Sequence, residues 1–231
     1  QQKLAVVILN YNGKHFLEKF LANVVSFSSP HTVIVADNAS TDDSISFLKG
    51  NFPNVKLIQN SSNAGYAGGY NEALKQIDAE YYILLNNDVD VKANWIQPLL
   101  ELMDSDSKIG ACQPKLLDQK NKNMFEYAGA SGGSMDAFGY PFCRGRIFET
   151  VEEDKGQYND IKQVFWASGA CLMIRSKLFW QLGGFDSDYF AHMEEIDLCW
   201  RMQNLGYKIY VNPTSQVYHV GGGTLQKQNA H

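Results

Sequence analysis

Leu4-Ala5-Val6-Val7-Ile8-Leu9 is an unbroken apolar run that ends on Asn10-Tyr11-Asn12-Gly13. It shows too little polar alternation for a strand with one wet face, so it reads as a strand buried on both sides. Outward from it, Phe16, Leu17, Phe20, Leu21 and Val24 recur at helical spacing over Lys14 to Phe27. Thr32 to Ala36 is the next strand, rich in β-branched residues. Ser40 or Thr41 is placed to cap a helix reaching about Lys49, with Asp42 and Asp43 suited to its first turn. Val55 to Gln59 and Tyr81 to Leu85 read as strands on either side of a helix over Ala67 to Ile77. Strands alternating with helices at this spacing predict an α/β fold, a mostly parallel sheet with helices on both faces. In such sheets ligands lie beyond the carboxyl ends of the strands. Three polar clusters fall there: Asn10-Tyr11-Asn12, Asp37-Asn38-Ala39-Ser40 and Asn86-Asn87-Asp88. Their positions predict convergence on one crevice.

The second half reads differently. From about Lys115 to Lys162 the chain is rich in Gly, Asp and aromatics with weak periodicity, which predicts loops and hairpins. Phe165 to Ile174 carries apolar runs around Ser168-Gly169. Met193 to Leu205 reads as a helix, and Lys208 to Asn212 and Gln216 to His219 as two short strands. Without an internal repeat or a linker, residues 1–231 read as one domain, with halves of about 1–114 and about 115–231. Hydrophobic residues at 45% and charged ones at 19% fit a globular chain rather than a disordered one. The net charge of −5 and the scattered Lys and Arg give no basic stripe, which argues against a nucleic-acid partner. Cys112, Cys143, Cys171 and Cys199 have no zinc-site spacing, and a chain of this size needs no disulfide staples, so a reduced, cytoplasmic setting is expected. No apolar run approaches the ~18 residues of a membrane span, and no signal peptide opens the chain. The chain begins at Gln1 and stops at His231 with no obvious terminal element, which leaves a membrane anchor outside this span open.

The chemistry concentrates in two acidic segments. Asn86-Asn87-Asp88-Val89-Asp90 follows an apolar strand, where carboxylates can meet a hard cation whose other ligands come from phosphates. Asp88 and Asp90 share one face if the segment is extended. Asp90 equally suits the N-cap of a helix over Lys92 to Met103. Glu194, Glu195 and Asp197 sit near the start of a helix, where the dipole favours acidic residues, and Asp197 lies four before Arg201. Gly65-Tyr66-Ala67-Gly68-Gly69 leads into a helix. It either offers N–H groups to a phosphate or allows close helix–sheet packing, with Asn63 and Asn71 as anchors. It does not follow the first strand, as a dinucleotide fingerprint should.

Taken together in order, the segments resemble a family 2 glycosyltransferase of the GT-A fold, in its rhamnosyltransferase-like subgroup. They are Val6 to Asn12, Asp37 to Asp42, Asn63 to Asn71, Leu84 to Val89, Ser168-Gly169-Ala170, Gly183-Gly184-Phe185-Asp186, Glu194 to Arg201, and Tyr218-His219. The resemblance implies a mostly parallel, Rossmann-like central sheet with a mixed acceptor-side half. The family's Asp-X-Asp motif falls on Asn86-Asn87-Asp88, so the metal-binding residue is Asp88, with Asp90 a less favoured ligand and Asn86 where the first Asp would stand. Asp37 matches the residue that reads the nucleotide base, Leu9, Asn10 and Tyr11 the loop packed against that base, and His219 a histidine that completes the metal or diphosphate site in some relatives. Asn38, Gly65, Asn86 and Asn87 complete the donor side. The general base falls on Glu195, with Glu194 the alternative. Trp166, Ser168, Gly169, Trp200 and Phe190 are candidates for the acceptor side, where aromatics can stack on sugar rings.

The implied activity is inverting transfer of a hexose from a UDP- or dTDP-sugar, dTDP-rhamnose among them, to a saccharide or lipid-linked acceptor in bacterial cell-surface polysaccharide synthesis. The implied cofactor is Mn2+ or Mg2+, and the implied place is the cytoplasm, up to the inner face of its membrane. Peripheral attachment through a further C-terminal part is left open. Two rival readings stand beside it. A sugar nucleotidyltransferase would want a Gly- and Arg-rich loop after the first strand, where this chain has Asn10-Tyr11-Asn12-Gly13-Lys14. A catalytically degenerate binding module would fit Asn86 in the place of an Asp.

Overall fold

The computed structural model of the protein describes residues 1–221. Strands and helices first alternate strictly: β1 (Gln2–Asn10), α1 (Lys14–Ser28), β2 (Thr32–Asp37), α2 (Ser44–Asn51), β3 (Lys56–Gln59), α3 (Gly65–Leu74) and β4 (Ala79–Asn86). Then come β5 (Val89–Val91), α4 (Gln97–Ser105), β6 (Ile109–Asp118) and a four-stranded antiparallel meander. The meander comprises β7 (Gly133–Met135), β8 (Pro141–Cys143), β9 (Arg146–Ile147) and β10 (Thr150–Val151). The chain returns through β11 (Lys162–Val164), β12 (Cys171–Arg175), α5 (Ser176–Gln181), α6 (Glu194–Asn204) and β13 (Lys208–His219).

The main sheet runs β11-β13-β6-β12-β4-β1-β2-β3, with β5 added on β13. The first four strands of the chain pair in parallel, β3-β2-β1-β4, as the alternation predicts. The remainder is mixed: β6 and β13 are parallel, while β12 runs antiparallel to both β4 and β6. A parallel neighbour needs a crossover that carries the chain back to the starting edge. The segment before β12 is a hairpin excursion rather than a crossover helix, so the sheet is wholly parallel only in its first half.

Alternation along β1 divides the interior in two. Ala5 and Val7 pack with Ala67, Tyr70 and Leu74 of α3 and with Phe179 of α5. Leu4, Val6 and Ile8 pack with Leu17, Leu21 and Val24 of α1 and Leu99 and Met103 of α4. Each Val, Leu, Ile, Phe or Met among them contributes roughly 1.5–3 kcal/mol when fully buried. Among the described residues, no helix is long and apolar enough to cross a membrane. All four cysteines are buried and unpaired.

Several local expectations are corrected. The second helix starts at Ser44, and the carboxylate that receives the Ser44 N–H is Asp42, at 3.0 Å. Ser40 instead receives the N–H of Asn12 at 2.9 Å, which ties two loops together. Asp90 caps no helix. It lies in β5, opposite Tyr218 of β13, and α4 begins seven residues later at Gln97. The two short C-terminal strands are one strand, β13, broken in register. Asn212 is opposite Pro114 and Gln216 opposite Lys115, so Pro213, Thr214 and Ser215 have no partner on β6.

Gly13 is set by space. An added Cβ would lie 2.1 Å from Asn87 Nδ2 and 2.5 Å from Asn10 Oδ1, the two atoms that hydrogen-bond across the strand ends at 2.9 Å. Gly13→Ala is therefore expected to break that bond and to cost about 1–3 kcal/mol through overpacking. Urea unfolding of the variant checks it, and an unchanged midpoint would show that the loops give way without cost.

Candidate active site

A cavity of about 800 Å3 opens at the carboxyl ends of β1 and β4, between the two halves of the chain. One wall is the turn from β4 to β5. Asn87 donates to Asn10 as described, and the Asp88 carbonyl accepts the Val220 N–H at 3.1 Å. Pairing of β13 with β5 places His219 opposite Val89, next to Asp88. His219 Nε2 is 3.0 Å from Asp88 Oδ1 and 3.4 Å from Asn86 Nδ2. Its Nδ1 is 3.2 Å from Glu126 Oε1. Asp88 and His219 are nearly sealed from solvent, and neither Asp88 Oδ1 nor His219 Nδ1 has an aligned hydrogen-bond partner. Burial by itself lowers the imidazole pKa. Asp88 and Glu126 outweigh it and bring the group up to about 10.

The opposite wall is the start of α6. Met193 precedes the helix in the left-handed conformation, at φ 74°, directly after His192 at φ 75°. This turn aims the first helical residues, Glu194 and Glu195, into the cavity. Oε2 of each is buried without a partner. Burial, with the Glu195 charge second, pushes the Glu194 carboxyl up to about 8. Burial also raises Glu195, against the opposing pull of backbone N–H groups. Below them the Tyr66 hydroxyl donates to the Gly169 carbonyl at 2.6 Å. Gly65, at φ 71°, lies against Phe190, whose carbonyl accepts the Tyr66 N–H at 2.7 Å. A Cβ on Gly65 would sit 2.1 Å from that carbonyl oxygen. Packing therefore accounts for this glycine.

Leu9, Tyr11, Asn38, Gly65, Asn86, Asn87 and Asp88 line the cavity, as do Ser168, Gly169, Glu194, Glu195 and His219. Five expected residues do not: Asp37, Asn10, Asp90, Trp166, and Trp200, which packs edge-on against Phe165. Asp37 is wholly buried, with Oδ1 accepting from Asn10 Nδ2 at 3.2 Å and Oδ2 from the Ser40 N–H at 2.9 Å. Both its oxygens are thus used inside the protein, and Asn10 is buried beside it. Asp90 accepts from Asn23 at 2.9 Å and from Gln119 at 3.2 Å, away from the cavity. Trp166 is a core residue whose indole donates to the Ser134 carbonyl at 2.9 Å. Phe190, a candidate for the acceptor side, lines the cavity, and Tyr66, Glu126 and Tyr127 line it without having been anticipated. Tyr66 sits inside a quoted motif; the other two stand in a segment with no periodicity.

Among the described residues, no group of three or more His, Cys, Asp and Glu is arranged to hold a metal ion. Asp88 and His219 still suit a divalent cation as a two-donor set. A carboxylate oxygen without an aligned partner faces an imidazole nitrogen at 3.0 Å, beside a cavity able to admit phosphate oxygens.

Comparison with known proteins bears on the family and the fold. The chain is 30% identical to the N-acetylglucosaminyl-diphospho-decaprenol L-rhamnosyltransferase of Mycobacterium tuberculosis, over 94% of this chain and 75% of the relative. It is 24% identical to rhamnosyltransferase WbbL of Escherichia coli, over 93% and 82%. Among solved structures it superposes on GalNAc-T7 with UDP, GalNAc and Mn2+ at a TM-score of 0.75 and 16% identity, covering 94% of this chain and 44% of that one. It matches the mannosyltransferase PcManGT of Pyrobaculum calidifontis, in complex with GDP-Man and Mn2+, at 0.65 and 19%, covering 95% and 57%. The shared fold is GT-A. The model of the family described as glycosyl transferase family 2 matches residues 5–183, more than half of the chain, and the protein belongs to that family.

Proposed function

We propose that this glycosyltransferase is metal-dependent and inverting, and moves a hexose from a UDP- or dTDP-sugar to a hydroxyl of a saccharide or lipid-linked acceptor. The observation that carries this reading is the convergence of Asp88 and His219 with Glu194 and Glu195 on one cavity. The first pair suits a charged leaving group and the second a hydroxyl that must lose a proton. Two relatives named as rhamnosyltransferases favour dTDP-rhamnose as donor, and the decaprenol in one name favours a lipid-linked acceptor in cell-wall polysaccharide synthesis. Such an acceptor would bring the protein to the inner face of the cytoplasmic membrane.

Glu195 takes the acceptor proton as the acceptor oxygen forms its bond to the anomeric carbon, and the bond from that carbon to the diphosphate oxygen breaks. Glu194, beside it, stores a proton at neutral pH because two buried carboxyls disfavour double ionisation. Asp88 and His219 would hold Mn2+ or Mg2+, which when bound offsets charge on the leaving diphosphate. Tyr11, at the cavity rim, offers a face to the nucleotide base. Ser168 and Gly169 border the acceptor side. No protein nucleophile is needed.

A thermal-shift panel with UDP, dTDP and GDP, with and without Mn2+ or Mg2+, tests the donor site. One nucleotide should raise the midpoint only with metal, and Asp88→Asn should abolish the shift. Nucleotide binding with neither transfer nor donor hydrolysis would favour the non-catalytic module. Glu195→Gln should lower kcat by about 10²–10⁴-fold with the nucleotide shift retained. A larger loss in Glu194→Gln would move the base to that residue. The carboxyl pair also predicts a pH effect on stability. A carboxyl whose folded pKa is raised stabilises the fold below its unfolded pKa, and that contribution is lost as pH rises through the folded value. For Glu194 the window runs from its ordinary 4.5 to about 8. Chemical denaturation at pH 5 and pH 8 should show stability falling between them, and Glu194→Gln should flatten the fall. An unchanged slope in the variant would count against a buried proton there.

A further inference from the structure

Glu126 is a buried carboxylate with no Lys or Arg in ion-pair reach among the described residues, and burying such a charge costs free energy unless a specific partner recovers it. Its position is well fixed. The Glu126 N–H donates to the Leu116 carbonyl at 3.0 Å, and Oε2 accepts the Ala128 N–H at 2.8 Å. This leaves Oε1 3.2 Å from His219 Nδ1, a close ion-pair contact that is not aligned as a hydrogen bond. The other ring nitrogen, Nε2, faces Asp88 Oδ1 at 3.0 Å. A carboxylate thus stands at each nitrogen of one buried imidazole, and only the Asp88 side belongs to the proposed donor site.

A neutral imidazole carries its proton on one nitrogen and a lone pair on the other. Where a histidine binds a cation, a carboxylate on the second nitrogen fixes the tautomer, aims the ring and raises its basicity. We propose that Glu126 is a positioning residue that holds the His219 proton on Nδ1, so that the Nε2 lone pair faces Asp88 and the cation. The inference rests on the reading of Asp88 and His219 as the metal pair. It gives a role to a residue in a segment with no motif. It also accounts for the Nδ1 contact, which a histidine serving only as a partner for Asp88 does not require.

Two readouts test it. The first is Mn2+ affinity by electron paramagnetic resonance in the presence of UDP or dTDP. The second is the His219 ring-nitrogen shifts in 15N-histidine protein with Mg2+ and the same nucleotide, assigned by difference from His219→Asn. Glu126→Met keeps the length and removes the acceptor. It should weaken Mn2+ by about 10–100-fold and move His219 from the Nδ1–H form to a mixture of tautomers. Glu126→Gln, which keeps an acceptor oxygen, should recover much of both. If Glu126→Met does not fold, Glu126→Asp, with its shorter reach, is read in the same way. Wild-type Mn2+ affinity and an unchanged His219 spectrum in a folded Glu126→Met or Glu126→Asp protein would overturn the proposal. Absence of Mn2+ binding by the wild type with either nucleotide would overturn the donor-site reading beneath it, and the inference with it.

Discussion

In the parallel half of the sheet, covered on both faces, amides and carboxylates that are buried sit at the carboxyl ends of the strands. In β1, alternate residues feed two separate cores, so neither face can carry an amide or a carboxylate without leaving it unpaired. The polar groups therefore appear where the strands stop. Parallel register aligns those stops: Asn10 lies opposite Asp37, and Leu9 opposite Asn86. The first demand on these groups is to satisfy one another. Asn10 bonds to Asp37 and to Asn87, and Asn38 to Asn60, Asn63 and Gly65. What remains uncommitted, Asp88 above all, faces the cavity.

This ordering explains what could be read from the sequence and what could not. The apolar run of β1, the three polar clusters and the acidic start of α6 were legible because each is a local pattern. Asp37 and Asn10 illustrate the limit. A polar residue at a strand end has the same sequence signature whether it meets a ligand or its neighbour, and here both met neighbours. The direction of β12 was not legible, because strand composition does not encode orientation. Asp90 was misplaced because β5 has three residues, too few for any period to show. Glu126 and Tyr127 reach the cavity through pairings between distant parts of the chain, and nothing within their own segment marks them.

The two walls of the cavity use burial to opposite ends. At His219, burial opposes the charged form, yet two carboxylates prevail and the ring is strongly basic. At Glu194 burial and the Glu195 charge act together, and burial raises Glu195 as well, so both carboxyls become weaker acids. A neutral sugar would lie between a site that attracts positive charge and a site that accepts a proton. The separation follows from topology: one wall is carried by β4, β5 and β13, the other by α6 and the loop that precedes it.

The unpaired Pro213, Thr214 and Ser215 of β13 have an effect on the far end of that strand. Val211 belongs to the core with Ala111, whereas Val217, an even number of residues later, belongs to the opposite core with Leu116. In a regular strand those two valines would share a face. An odd insertion relative to β6 reverses the parity, and His219 inherits the face of Val217. The side of the sheet from which the imidazole approaches Asp88 is thus a matter of counting. Gain or loss of a single residue in this bulge would send His219 to the wrong face while every side chain of the site kept its identity, so segment length here is as much a part of the active site as the residues that line it.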